Sequence, residues 1–151
     1  MKSIIKIALL ILILGLLRIF PLQAQTASLK IWVKGFKNVK GSVFVGLYNK
    51  PQGFASENAF RNFSYEISGP EIWVTFDTLS KGNYAVAVIH DENNNHKLDQ
   101  GEMGIPTEGY GFSNDARGLF GPPDFRLAMF YFAATADKSI IINLLYPKKP
   151  K

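Results

Sequence analysis

Short runs of alternating apolar and polar residues extend from Ser28 to Tyr146, and they constrain the fold more than any other feature of this chain. A period of two sends successive side chains to opposite faces of a β-strand, so each run predicts a strand with one buried face. Glycine and proline turn signals separate the runs, and the sequence lacks the period of a long amphipathic helix. The pattern predicts an all-β fold: an antiparallel Greek-key β-sandwich of about seven strands.

The predicted strands lie in SLKIWVKG, GSVFVGLY, EIWVTFDTL, NYAVAVIHD, FRLAMFYFA and SIIINLLY, with a short edge strand near Phe63 to Ile67. Both alternating sets of NYAVAVIHD are apolar, which predicts a central strand covered on both faces. We expect Val39 to Gly41 to close a hairpin between the first two runs, and one helical turn to lie between Ser56 and Arg61. The segment TLSKG is expected to turn the chain at a corner of the sandwich.

The first 24 residues have the composition of a secretory signal peptide. Two early lysines precede an uninterrupted apolar run from Ile7 to Leu17, and small residues mark a cleavage position near Ala24. This predicts a secreted or periplasmic protein with a β-sandwich domain at 25–146 and a basic C-terminal tail at 147–151. An uncleaved membrane anchor is the alternative, because the apolar stretch is nearly long enough to span a bilayer.

Most of the formal net charge of +5 lies outside the predicted domain. Three positive charges precede Ala24 and three follow Tyr146, and removing both groups from +5 leaves −1. A basic surface for nucleic acid is therefore not expected. The chain has 0 cysteines, so neither disulfides nor a lipid attached to an N-terminal cysteine can hold the domain in place.

The segment HDENNNHKLDQGE follows the predicted central strand and is crowded with side-chain oxygens. Counted from Asp91, oxygen-bearing side chains fall at positions 1, 3, 5, 9 and 12, which are ligand positions of an EF-hand calcium loop. Position 7 of such a loop supplies a backbone carbonyl. The predicted calcium ligands are Asp91, Asn93, Asn95, Lys97 through its carbonyl, Asp99 and Glu102.

His96 stands at position 6, where a glycine normally provides a left-handed bend. We expect His96 to adopt a positive φ at a cost of about 1 kcal/mol, and calcium affinity to be weak, with a Kd of about 10⁻⁴ to 10⁻³ M. Two alternatives remain open: an Asn-rich connection that caps its own turns, and a transition-metal site formed by His90, His96 and Asp91. Because His90 alternates with core positions, we expect it to be partly buried and structural.

The residues from Gly82 to Phe130 resemble the bacterial family catalogued as domain of unknown function 2141. The shared motifs are Gly-x-Tyr-Ala and His-Asp in the central strand, then the acidic Asn-rich loop, then GIPTEGYGFSN. The resemblance extends over roughly Leu29 to Tyr146 and implies a prealbumin-like or transthyretin-like β-sandwich in a secreted or periplasmic protein. It implies no catalytic residue. The chain departs from the family at His96, where glycine is usual, and at FRLA, where a more acidic stretch is expected.

The region from Glu92 to Asp124 has no clear strand pattern, which predicts a long ordered loop crown over one end of the sandwich. Within this region the segment EGYGFSND offers a candidate ligand surface. Its predicted members are Glu108, Tyr110, Phe112, Asn114 and Asp115. The two aromatic rings would either stack on a ligand such as a carbohydrate or plug the open end of the core.

Catalytic motifs are weak in this sequence. Ser113 lacks the G-x-S-x-G elbow of a nucleophilic serine, because Asp115 occupies the place of the second glycine. Glu108, Asp115 and Asp124 offer carboxylates of the kind that glycosidases use, without a spacing that specifies a pair. No catalytic residue is therefore predicted.

The predicted function is an exported, non-catalytic binding or accessory module of the cell envelope, in which a calcium-type loop braces a long recognition loop. An envelope protein or a carbohydrate is the expected kind of partner, and membrane contact is expected only through an unprocessed signal segment. The alternative is a metal-dependent hydrolase acting on extracellular carbohydrate, which would need two carboxylates about 5–10 Å apart in one pocket. A structural component that joins partners through its edge strands is a third hypothesis.

Overall fold

A computed structural model describes residues 25–119 and 121–147, and these residues form two β-sheets around a hydrophobic core. The predicted signal peptide and all but Pro147 of the predicted tail lie outside the described residues. The strands are β1 Thr26–Lys34, β2 Ser42–Tyr48, β3 Arg61–Glu66, β4 Glu71–Ser80, β5 Gly82–Asp91, β6 Gly109–Phe112, β7 Phe130–Phe132 and β8 Lys138–Asn143. The all-β sandwich is confirmed, with eight strands instead of about seven.

The two sheets have three and five strands. The three-stranded sheet has the order β4-β1-β8, and the five-stranded sheet has the order β3-β2-β5-β6, with β7 also paired to β5. β1 runs parallel to β8, whereas the other strand pairs are antiparallel. One edge of β5 pairs with β2. The other edge pairs with β7 at residues 82–84 and with β6 at residues 87–90. β5 is therefore the central strand of its sheet.

The main core lies between the inward faces of the two sheets. Its fully buried members include Leu29, Ile31 and Val33 of β1, Val43, Val45 and Leu47 of β2, and Phe76, Phe132 and Ile142. These positions alternate with exposed or half-buried neighbours along β1 and β4, as a strand with one buried face requires. No helix in the described part of the chain is long and apolar enough to cross a membrane.

β5 is covered on both faces, which confirms the expectation for a strand with two apolar sets. Tyr84, Val86 and Val88 face the main core. Ala85 and Ala87 lie in a second cluster on the outer side of the five-stranded sheet. That second cluster also contains Tyr48, Phe112, Ala116, Phe125 and Ala128.

The predicted hairpin at Val39 to Gly41 is wrong, because β1 and β2 belong to different sheets. β1 pairs with β4 and β8, and β2 pairs with β3 and β5. Alternation marks where strands lie, but it carries no information on whether two consecutive strands pair. The corner before Gly82 does carry the chain from one sheet to the other, as expected.

The region Glu92 to Asp124 contains β6, so the prediction of a crown without strands is wrong. Gly109 and Gly111 take the inward positions of β6, opposite His90 and Val88. A Cβ on Gly109 would lie 2.4 Å from the Tyr146 ring. A Cβ on Gly111 would lie 2.7 Å from Ile142. Close packing excludes side chains at both inward positions, and this removes the apolar alternation that identifies a strand.

Two further local predictions are wrong. Phe125–Ala128 forms a single helical turn, α1, instead of the start of a strand, because the Asp124 side chain caps it by accepting the Arg126 N–H at 2.8 Å. Two other short helical segments are the 3-10 turns Glu102–Gly104 and Ser113–Asp115. The expected helical turn from Ser56 is replaced by bends that lead directly into β3.

Candidate functional site: a groove beside the oxygen-rich loop

An open groove of about 1200 Å³ lies on the outer face of the five-stranded sheet. Its floor contains Phe44 of β2, Ile89 of β5 and Tyr110 of β6, which are in register across three neighbouring strands. All three side chains are half-buried, and they point outward because they alternate with core positions. This mostly apolar concavity is somewhat larger than the range of about 300–1,000 Å³ that is usual for small-molecule sites.

Loops raise the walls of this groove on opposite sides. Leu98, Ile105 and Pro106 line it from the oxygen-rich loop and the residues that follow. Ala55 lines it from the connection between β2 and β3, and Leu119 lines it from the segment before α1. The groove therefore lies where the long connections of the fold meet. Tyr48, Ala87 and Phe112 of the second hydrophobic cluster also line it.

Tyr48 anchors the wall formed by the connection between β2 and β3. Its hydroxyl donates a hydrogen bond to the Ser56 carbonyl at 2.6 Å, and its ring packs edge-on against Phe54 with centroids 5.2 Å apart. Burial raises the pKa of Tyr48 to about 12, so the hydroxyl stays protonated and remains a donor at neutral pH.

The oxygen-rich loop brings four of the predicted calcium ligands together. Asn93 and Asn95 donate from their carboxamide nitrogens to the two carboxylate oxygens of Asp99, at 2.7 and 2.8 Å. Asp91 Oδ1 accepts the Asn95 N–H at 3.1 Å, and Asn93 Oδ1 accepts the same N–H at 3.1 Å. Asp91, Asn93, Asn95 and Asp99 thus form one hydrogen-bonded network.

The bend at position 6 of the loop is confirmed. His96 has φ of 62°, and its N–H donates to Asp91 Oδ2 at 2.7 Å. Asp91 is only 2% exposed, so its carboxylate holds the bend from inside the loop. The His96 side chain is exposed and lines the groove.

The remaining two predicted calcium ligands are both exposed. Lys97 is exposed and its N–H donates to Asn95 Oδ1 at 2.9 Å, while Glu102 is exposed at the start of a 3-10 turn. Among the described residues, no three His, Asp or Glu side chains are grouped so that they could hold a metal ion. Carboxamide oxygens would have to complete a cation site in this loop, and calcium binding stays a prediction.

Glu108 is a buried brace and not part of an exposed ligand surface. It is 5% exposed, and its two carboxylate oxygens accept the N–H groups of Glu92 at 2.8 Å and Asp99 at 3.0 Å. The side chain therefore ties both ends of the oxygen-rich loop to the residue before β6. The sequence contained no signal for this role beyond the position of an acid close to a strand.

The other members of the predicted ligand surface separate in the structure. Tyr110 lies on the groove floor, and Phe112, which also lines the groove, is buried in the second cluster on the outer face of the sheet. Phe112 therefore does not plug an open end of the main core. Asn114 is exposed and donates through Nδ2 to the carbonyls of Leu127 at 3.3 Å and Met129 at 2.9 Å. Asp115 is also exposed and accepts from Asn143 at 3.3 Å. Of the five residues, Tyr110 and Phe112 line the groove.

Ser113 bridges buried backbone groups. It is 1% exposed, and its Oγ accepts the Val86 N–H at 2.8 Å and donates to the Ala128 carbonyl at 2.6 Å. This hydroxyl therefore joins β5 to α1. The residue considered as a nucleophile has a structural role here.

His90 is completely buried, beyond the partial burial that we expected. Its Nε2 lies 2.8 Å from the Lys40 carbonyl, and its Nδ1 is paired with the Tyr146 hydroxyl. Because a carbonyl only accepts, Nε2 carries the proton and Nδ1 accepts from the tyrosine. Burial raises the pKa of Tyr146, which keeps that hydroxyl protonated. Both ring nitrogens therefore form hydrogen bonds with other groups of the folded domain.

A profile of a known protein family matches most of this chain. The profile described as "Uncharacterized protein conserved in bacteria (DUF2141)" matches residues 31–140. This chain belongs to the DUF2141 family. The match runs from β1 into β8 and includes the groove floor, the oxygen-rich loop and Glu108. No match was found among curated proteins or among solved structures.

Proposed function

We propose that this DUF2141 protein is an exported, non-catalytic binding module of the bacterial cell envelope whose groove holds a small apolar ligand. The observation that carries the proposal is the groove of about 1200 Å³ with its floor of Phe44, Ile89 and Tyr110. Apolar surface on a ligand gains about 25 cal/mol per Å² when it leaves water. A preformed concave floor captures that free energy without ordering new segments.

The lining of the groove favours a neutral ligand with a hydrocarbon body and a few polar groups. Ser42, Ser64 and Gln100 supply hydrogen-bonding groups around the apolar floor. Asp91 is 2% exposed and its two oxygens accept N–H groups of the oxygen-rich loop, so its charge faces the loop and not the groove. The exposed side chains of Glu57 and Lys97 on the lining carry opposite charges. A flat or extended apolar molecule with hydroxyl or carbonyl groups matches this arrangement.

The reactive side chains make hydrogen bonds within the fold, and this supports a binding role over the hydrolase alternative. The Ser113 hydroxyl, both nitrogens of His90 and both oxygens of Glu108 make hydrogen bonds that hold the fold. A hydrolase needs such groups facing a substrate.

The groove is tested with the neutral fluorescent probe N-phenyl-1-naphthylamine. We expect saturable fluorescence enhancement, and we expect Phe44→Ala to weaken probe binding about 5- to 30-fold through lost apolar contact. Tyr65→Ala is the matched control, because Tyr65 lies on the opposite face of β3 from Ser64, which lines the groove. Fluorescence titration measures the effect, and thermal melting checks that both variants fold. An absence of saturation, or equal weakening by both variants, contradicts the proposal.

We also propose that the oxygen-rich loop binds calcium and stiffens one end of the groove. The network of Asp91, Asn93, Asn95 and Asp99 supports this proposal, since these four side chains already converge. Leu98 follows within the same loop and lines the groove, so an ordered loop would present a more rigid wall to the ligand.

Thermal melting with 10 mM calcium, with chelator and with magnesium tests this second proposal. For a Kd of about 10⁻⁴ to 10⁻³ M, calcium should stabilise the fold by about 1.4 to 2.7 kcal/mol. Asp99→Asn should remove the response, and Glu71→Gln, an exposed acid on β4, should leave it intact. His96→Gly should strengthen it by relieving the positive φ. A response that Asp99→Asn does not change would place the cation elsewhere, and no response to calcium would end the proposal.

A further inference from the structure

A row of apolar side chains crosses the outer face of the three-stranded sheet, on the opposite side of the molecule from the groove. Trp73 of β4 is in register with Trp32 of β1, which is in register with Ile141 of β8. Trp73 is 54% exposed and Ile141 is 49% exposed. Adjacent exposed apolar side chains on one sheet face mark a surface that can take a ligand.

The two indole rings are held in a fixed arrangement. Their centroids are 4.9 Å apart with planes at 15°, so Trp32 covers one face of Trp73. The ammonium of Lys34 lies 3.5 Å from the Trp32 ring centroid and makes a cation–π contact. Because β4 is an edge strand, the other face of the Trp73 ring is open to solvent beyond the sheet. Such a ring needs no further ordering when a ligand stacks on it.

We propose that the open face of Trp73 is a stacking site for a pyranose ring of a neutral carbohydrate. The apolar C–H face of a sugar ring packs on an aromatic ring, while its hydroxyls need hydrogen-bonding groups at the rim. Glu71 and Thr75 supply such groups two residues on either side of Trp73, and Lys34 lies in register with Glu71. The outward N–H and C=O groups of an edge strand add further partners.

An unpaired donor in the same pair also favours an oxygen-rich ligand. Trp32 Nε1 is buried and has no hydrogen-bond acceptor among the described residues. A buried donor without a partner costs about 1–3 kcal/mol. The hydroxyl oxygens of a sugar are acceptors of the kind that this N–H lacks.

The size of this surface argues against a second copy of the chain, or another protein, as the partner that covers it. Trp73 and Ile141, each about half exposed, offer apolar area on the order of 200 Å². A stable protein interface buries about 800 Å² on each partner. The apolar row is therefore too small to hold a protein, but it matches the face of a single sugar ring.

The charges on this face argue against an anionic polymer or membrane surface. Lys30 forms an ion pair with Asp137 at 3.4 Å, and Lys34 stands opposite Glu71 in the strand register. Positive and negative groups therefore alternate with no excess of one sign. A neutral ligand suits such a surface better than a highly charged one.

The chain has 2 tryptophans, and both belong to this stacked pair. Intrinsic tryptophan fluorescence therefore reports on this surface directly, whereas the residues that line the groove include no tryptophan. Binding at the two sites can thus be measured separately. A negative result at one of them leaves the other proposal standing.

The test is a fluorescence titration of the full chain with hexamers of β-1,4-linked glucose, mannose and N-acetylglucosamine. We expect a saturable change with at least one hexamer in the millimolar range, and at least tenfold weaker binding for Trp73→Ala, in which Trp32 remains as the reporter. Tyr131→Ala is the matched control, since Tyr131 is an equally exposed aromatic residue on β7 at 60% exposure. The naphthylamine probe should not compete with the sugar.

Three results would overturn the proposal. The first is a lack of saturable change with all three hexamers. The second is unchanged sugar affinity in Trp73→Ala. The third is a dimer in sedimentation experiments that Trp73→Ala converts to a monomer, which would assign this face to a second copy of the chain. Circular dichroism of both variants confirms that they are folded.

Discussion

Replacing Glu108 with alanine is expected to lower the free energy of unfolding by about 3 to 5 kcal/mol. The carboxylate of Glu108 is buried and accepts the N–H groups of Glu92 and Asp99. A hydrogen bond to a charged group contributes about 1.5 to 3 kcal/mol, and the substitution removes two of them while leaving both donors in a poorly solvated place. Chemical denaturation, followed by circular dichroism, measures the loss.

Two companion variants separate this effect from the loss of a negative charge. Glu108→Gln keeps one strong acceptor and should lose about half as much stability, because its carboxamide oxygen can still accept one N–H. Glu66→Ala removes an exposed acid from β3 and should stay within about 0.5 kcal/mol of the unmodified protein.

Hydrogen exchange locates the change. In Glu108→Ala the amides of Glu92 and Asp99 should exchange faster, since their acceptor is gone. The protection of amides in β1 should decrease only as far as the global stability of the protein decreases. A loss below about 1 kcal/mol would show that water replaces the carboxylate without difficulty. The assignment of Glu108 as the brace of the oxygen-rich loop would then be wrong.

Gly41→Ala is expected to destabilise the protein by about 3 kcal/mol or more. Gly41 has φ of 70°, and a Cβ there would lie 1.9 Å from the Asp91 carbonyl oxygen and 2.8 Å from Glu92 Cα. Both neighbours are backbone atoms at the start of the oxygen-rich loop, so they cannot move without disturbing it. The substitution should also weaken any calcium response, because Asp91 is displaced.

Two other glycines serve as graded controls for Gly41→Ala. At Gly35 φ is 84°, but the nearest atom to a new Cβ is 3.5 Å away. Gly35→Ala should therefore cost only the strain of an alanine in the left-handed region, about 1 kcal/mol. At Gly69 the nearest atom is 3.9 Å away, and Gly69→Ala should be near neutral. The melting temperature should fall most in Gly41→Ala, less in Gly35→Ala and least in Gly69→Ala. Equal effects at Gly35 and Gly41 would show that contact with Asp91 contributes nothing.

Several features of this protein follow from the sequence alone because their causes are local. The two apolar sets of Gly82–Asp91 predict a strand buried on both faces, and β5 is one. The spacing of Asp91, Asn93 and Asn95 predicts a coiled loop with a left-handed bend at His96, and that residue has φ of 62°. Side-chain periodicity and backbone preference act over a few residues, so a single sequence is enough to reveal them.

Only the tertiary structure decided what packs against what. β6 forms by pairing with β5, and it carries Gly109 and Gly111 because Tyr146 and Ile142 approach those positions too closely for side chains. Glu108 is buried where its carboxylate accepts two N–H groups from distant positions in the chain. The groove exists because β2, β5 and β6 align three outward side chains that are far apart in the chain. Such contacts depend on which strands pair, and a local pattern of alternation is compatible with many pairings.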